Sequence, residues 1–164
     1  MNTMKDVMPS LKSITVDYSP SKTLQLFFHE EKSGRPWIAD DVSDGTIQTL
    51  AMLVAIFDPR GSLLLIEEPE NSIHPWIIRM LIERLRELSE HRTVFLTSHS
   101  RTLIDLLNPS ELFIASRSNL ETSIYPIAHF DERVQEEWEL GKYKLSEALD
   151  SGLIPAAVPG GIPE

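Results

Sequence analysis

Leu63-Leu64-Leu65-Ile66-Glu67-Glu68-Pro69-Glu70-Asn71-Ser72-Ile73-His74-Pro75 is the stretch on which the fold turns. Four apolar residues run without interruption into Glu67, Glu68 and Glu70. A run so short and so continuously apolar suits a strand covered on both faces, as in the middle of a parallel sheet, with the acids at its C-terminal end. Pro75 then opens a helix to about Glu90. Ile77, Ile78, Leu81, Ile82, Leu85 and Leu88 form its apolar stripe, and Arg79, Glu83, Arg84, Arg86 and Glu87 its wet side. Thr93 to Thr97 reads as the next strand.

The neighbouring segments fit the same plan. Upstream, Ser43-Asp44-Gly45-Thr46 opens a helix through Phe57, with Ser43 or Asp44 as its cap and Asp58-Pro59-Arg60-Gly61 as its stop. Further upstream, Ser13 to Tyr18 alternates apolar and polar residues, Leu24 to Phe28 is richer in apolar ones, and Ser19-Pro20-Ser21-Lys22 lies between. That pattern predicts a hairpin. Downstream, Arg101 to Leu107 predicts a short helix stopped by Asn108-Pro109, followed by strands at Glu111–Ala115 and Glu121–Ile127. The middle of the chain is then α-β-α-β-α-β, the signature of right-handed crossovers and a parallel sheet. Short helices are expected over 131–139 and 144–150. Residues 155–164, rich in Pro and Gly, are expected to form a flexible tail.

Composition narrows the function classes. The chain has 164 residues, 41% hydrophobic and 24% charged, enough for one domain with a real core. It contains no cysteine, which excludes disulfides and thiolate metal sites and fits a reducing cytoplasm. No apolar run reaches the roughly 20 residues that span a bilayer, so no membrane role is expected. A net charge of −10 repels a phosphate backbone, so nucleic acid is expected to be met only indirectly.

In an open α/β sheet, ligands bind beyond the C-terminal ends of the strands. Glu67 and Glu68 follow one strand, and Thr97-Ser98-His99-Ser100 follows the next. If the strands are neighbours, two carboxylates and an imidazole share a rim, as chemistry on a phosphate requires. Ordinary surface acids and a structural histidine are the bland alternative. The acid pair placed directly after an apolar strand and before Pro69 tells against it. Glu70 and His74 stand four apart, but with no third ligand evident a structural zinc site is rejected.

The string Leu63 to Pro75 resembles the extended Walker B and D-loop of the ABC-related AAA ATPases, the branch that includes the RecF-like, SMC-like and overcoming-lysogenization-defect ATPases. Thr97 to Ser100 resembles their switch-histidine loop, and Ser43-Asp44-Gly45-Thr46 their shortened signature. The resemblance covers roughly Leu11 to Ile127. It implies an α/β, P-loop-NTPase-like half-domain of the ABC ATPase type: a parallel sheet with helices on both faces and an N-terminal hairpin, over residues 1–154. It implies that Glu67 holds Mg²⁺ through water, that Glu68 is the general base, and that His99 bonds the γ-phosphate of ATP. Ser43 and Gly45 would contact the nucleotide held by an opposite subunit, and Asn71 and His74 would lie in the loop that crosses that interface. Many relatives have Asp where Glu67 stands; the carboxylate is kept.

One element of the pattern is absent. A phosphate loop needs G-x-x-x-x-G-K-[ST], whose backbone N–H groups surround the phosphates. Of the seven glycines only Gly141 precedes a lysine, with Glu136 in the first glycine's place and Tyr143 where Ser or Thr is required. In the family that loop lies far upstream, in an N-terminal lobe. The chain is therefore expected to be a fragment, one part of a split ATPase whose lobe is a separate polypeptide, or a relative without hydrolysis. Two functions stay open: an ATPase acting as a dimer in DNA maintenance or anti-phage defence, inactive alone, or a non-catalytic module that docks on a complete ATPase.

Overall fold

A computed structural model describes residues 2–118, 120–152 and 154, which fall into two compact units, Met1–Ser98 and His99–Glu164. The tail expected over 155–164 lies outside the described residues.

Unit 1 opens with helix α1 (Asn2–Val7), then strands β1 (Leu11–Tyr18), β2 (Leu24–Glu30) and β3 (Trp37–Ile38). The two long strands form the expected antiparallel hairpin, with Thr15 opposite Phe27. Its turn closes where the Ser19 N–H donates to the Thr23 carbonyl at 2.8 Å, and Lys22 takes the left-handed φ of 61° that the tight reversal needs. Leu11 and Phe28 are wholly buried beneath the hairpin.

Helix α2 (Asp44–Phe57) starts at Ser43, whose Oγ accepts the Thr46 N–H at 3.2 Å, and buries Thr49, Met52, Leu53 and Ile56. It gives way to β4 (Leu63–Glu67) through Asp58, whose carboxylate accepts bonds from the Arg60 backbone and guanidinium. Helix α3 (Pro75–Ser89) has Pro at its first position, and Ile78, Leu81, Ile82 and Leu85 are buried. Strand β5 (Thr93–Thr97) then pairs with β4 in parallel, Leu63 opposite Thr93 and Glu67 opposite Thr97. Along the pair, Leu64, Ile66, Val94 and Leu96 are half-buried. The opposite face carries Leu63, Leu65 and Phe95, exposed by 51, 67 and 57%.

Unit 2 contains α4 (Arg101–Ile104), β6 (Phe113–Ser118), β7 (Glu121–Pro126), α5 (Val134–Glu139) and α6 (Leu145–Asp150). Helix α4 is shorter than its pattern predicts, because the chain tightens at Leu106 and Leu107, whose N–H groups bond the carbonyls of Leu103 and Ile104. The strand expected at Glu111 begins at Phe113 and does not extend the parallel ladder; it pairs antiparallel with β7, Ala115 opposite Ile124. Only two residues separate Ser118 from Glu121, far fewer than a parallel crossover needs. Gly141, at φ 68°, ends α5 in the left-handed conformation that stops a helix. Ile114, Ile127, Val134, Leu145 and Ile154 form the core of this unit. Among the described residues no helix is long and apolar enough to cross a membrane.

Candidate functional site

The site is built at the C-terminal ends of β4 and β5, where the backbone leaves regular geometry. Glu67 is the last residue of β4, paired with Thr97 and exposed. The N–H of Glu68 still donates to the Thr97 carbonyl at 2.9 Å, but its φ of 47° takes the chain abruptly out of the ladder. A bulky residue in that region costs about 1–3 kcal/mol and persists only when its surroundings hold it there. Here the hold is visible. Pro69 is wholly buried, Ile73 is buried, the Asn71 N–H returns to the Glu68 carbonyl at 3.1 Å, and the Ile73 N–H to the Glu70 carbonyl at 3.2 Å. Ser72 is a second left-handed residue, at φ 61°.

The loop is tied sideways to the end of β5. The Ser98 hydroxyl donates to Glu70 Oε1 at 2.5 Å. The other carboxylate oxygen, Glu70 Oε2, is buried with no hydrogen-bond partner among the described residues. A carboxylate oxygen left in that state favours a cation in its vicinity. Glu68 and Glu70, both on this loop, bring carboxylate oxygens within 4.8 Å of one another, donors that suit a hard divalent ion.

The N-terminus of α2 meets the same loop. Gly45 lies against the backbone of Ser72 and Ile73. Its neighbour Ser43 is exposed, its Oγ engaged in capping. Ser43, Gly45, Glu67, Glu68 and Asn71 therefore belong to two connected turns of unit 1. Asn71 is exposed. His74 caps α3, its Nδ1 accepting the Trp76 N–H at 3.3 Å, which commits one ring nitrogen to structure. His99 follows Ser98 directly in the chain, opens unit 2, and is exposed.

Two polar groups of this site carry little mark of their role in the sequence. Glu70 suggests there only a zinc ligand with His74, and Ser98 only a member of the histidine loop. The signal for Glu70 was present in the E-E-P-E string as a third acid. Nothing local marks Ser98, whose partner is 28 residues away.

A family model for an AAA domain, described by its link to an AbiEii-type toxin of a type IV toxin–antitoxin system, matches residues 1–105. The chain belongs to this AAA domain family. Among solved structures, one from work on the ATP-driven dimerization and DNA-stimulated activation of SMC ATPases matches with a TM-score of 0.56 at 10% identity. The match covers 87% of this chain and 91% of that one. At that identity the likeness shows the fold, which is that of an SMC-type ATPase domain. No curated protein matches the chain. The AAA family and the SMC-type fold together make this an ATPase-like domain, with the α/β class and parallel ladder anticipated from Leu63–Pro75.

Proposed function

We propose that the chain is the catalytic-side half of an ABC/SMC-like ATPase that completes its nucleotide site with a phosphate-loop lobe or a second subunit. The observation that carries this reading is the braced loop Glu68–Ile73, which gathers carboxylates beyond the tips of parallel strands, where α/β folds place ligands. In this reading Glu67 would hold Mg²⁺ through water, and the bound ion would neutralise phosphate charge. Glu68 accepts the proton of the water that attacks the γ-phosphorus as the bond to the ADP oxygen breaks. His99 donates a hydrogen bond to the γ-phosphate. Ser43 and Gly45 meet the nucleotide of an opposite subunit, and Asn71 and His74 lie along that interface. The bare apolar face at Leu63, Leu65 and Phe95 is the surface on which an additional lobe would pack. The family's link to a toxin–antitoxin system favours a cytoplasmic defence setting over DNA maintenance.

The test supplies a phosphate-loop lobe from a related ATPase, or the native partner, and measures ATP turnover. Turnover is expected only with the lobe, and Glu68→Gln should reduce it by about 10²–10⁴-fold while ATP still binds. Robust turnover by Glu68→Gln would remove the base from its role. The second reading, a non-catalytic docking module, draws on the same open face and on the missing G-x-x-x-x-G-K-[ST]. It predicts a stable complex with a complete ATPase whose turnover is indifferent to Glu68→Gln. Titration calorimetry of the chain alone with Mg²⁺ and ATP should detect no tight binding; low-micromolar affinity would contradict the need for a lobe.

A further inference from the structure

Residue 45 lies in the first turn of α2, where alanine is the better helix former. Ser43 already supplies the cap, and Gly45 is not among the residues of positive φ, so neither capping nor backbone conformation explains a glycine there. The explanation is a neighbour. A Cβ at position 45 would overlap the carbonyl oxygen of Ser72, with the Ser72 carbonyl carbon at 3.3 Å and the Ile73 Cα at 3.8 Å. The obstacle is backbone, which cannot swing aside as a side chain can.

Neither party is free to yield. On the helix side, the Gly45 carbonyl accepts the hydroxyl of Thr49 at 2.6 Å, and Thr49 is itself wholly buried. On the loop side, Ser72 sits at φ 61° between the bonds of Asn71 and Ile73, with Pro69 and Ile73 set in the core. We propose that Gly45 is a positioning residue. Its missing side chain lets the first turn of α2 seat directly on Ser72 and so fixes the loop that carries Glu68 and Glu70. The helix start and the acidic loop then move as one body. Anything that binds at Ser43–Gly45 is felt at the carboxylates, and the reverse. This deepens the nucleotide reading and rests on it only for its consequence in catalysis; the linkage itself is tested without nucleotide.

The experiment uses the full chain and three variants, Gly45→Ala, Ser72→Gly and the pair together, read by thermal unfolding and by amide hydrogen exchange. Gly45→Ala is expected to lower Tm and to speed exchange at Asn71 and Ile73 by roughly tenfold, a coupling ordinary for residues in contact. In the Ser72→Gly background, where the loop backbone is released, that acceleration should shrink to about twofold or less. A higher Tm for Gly45→Ala, as for any glycine replaced in an unobstructed helix, would overturn the proposal. So would unchanged exchange in the loop, or an equal effect in both backgrounds. Should Gly45→Ala fail to fold, Ser72→Gly alone decides, because it must alter exchange at Thr46 and Ile47 across the contact; no change there sinks the linkage. Failure of either arm leaves the Glu68→Gln test untouched.

Discussion

Two sheets of this molecule each leave one face open, and the same exposure means different things. The hairpin β6–β7 of unit 2 turns Phe113, Ala115 and Ile124 outward, with Arg117 and Thr122 exposed at its far end. Its other face supplies Ile114 to the core of that unit. An antiparallel pair wetted on one side is an ordinary arrangement. The parallel pair β4–β5 of unit 1 is not. Its open face is apolar at Leu63, Leu65 and Phe95, and parallel sheets are found with both faces covered. Exposure on the hairpin is what an antiparallel pair tolerates, whereas exposure on the ladder is the feature that the proposed lobe or second subunit would cover.

The largest effect that can break this contrast is in stability. Leu81, wholly buried on the stripe of α3, should cost about 2–5 kcal/mol when replaced by alanine. Leu65→Ala, on the open face, should cost no more than about 0.5–1 kcal/mol by urea unfolding. Equal costs would mean that the open face is already covered in solution. Next in size is association. Leu65→Lys combined with Phe95→Lys should leave the fold intact and shift the chain toward monomer in sedimentation. Phe113→Lys with Ile124→Lys should change the sedimentation profile less, and the opposite order would reverse the assignment of the sticky face.

The smallest effect is with pH and belongs to the antiparallel sheet of unit 1. Glu30 accepts hydrogen bonds from the Ser10 hydroxyl and, at 2.7 Å, from Trp37 Nε1, and both hold its carboxyl below the ordinary value near 4.5. A folded-state value below the unfolded one contributes stability above about pH 4.5, lost as the pH falls through the folded value. Glu30→Gln should therefore lower the urea midpoint slightly at pH 6 and converge with the parent at pH 3. Parallel curves over that range would show that the carboxylate adds nothing.

Much of unit 1 was legible because its rules are local. Strand β5 runs over Thr93–Thr97, as its composition predicts, and α3 begins at Pro75 because proline's fixed φ and missing N–H suit a first helical position. Ser43 caps α2 through a hydroxyl three residues from the amide it bonds. Helix α1, six residues without a strong apolar period, gave no such sign. Strand β6 pairs antiparallel with β7 and not as a further parallel strand, because an apolar run reports that a strand exists and says little about which partner it takes.

The candidate site divides in the same way. Alternation, caps and the acid-rich string after Ile66 are properties of neighbours along the chain, so the strand, the helix that follows it and the identity of the acids could be read from residues alone. The left-handed turn at Glu68, the bond from Ser98 to Glu70 and the seating of Gly45 on Ser72 were decided only by folding. The last two join residues far apart in sequence, and no periodicity encodes such a meeting. Close packing brings them together, and it is packing that turns a string of acids into a braced loop.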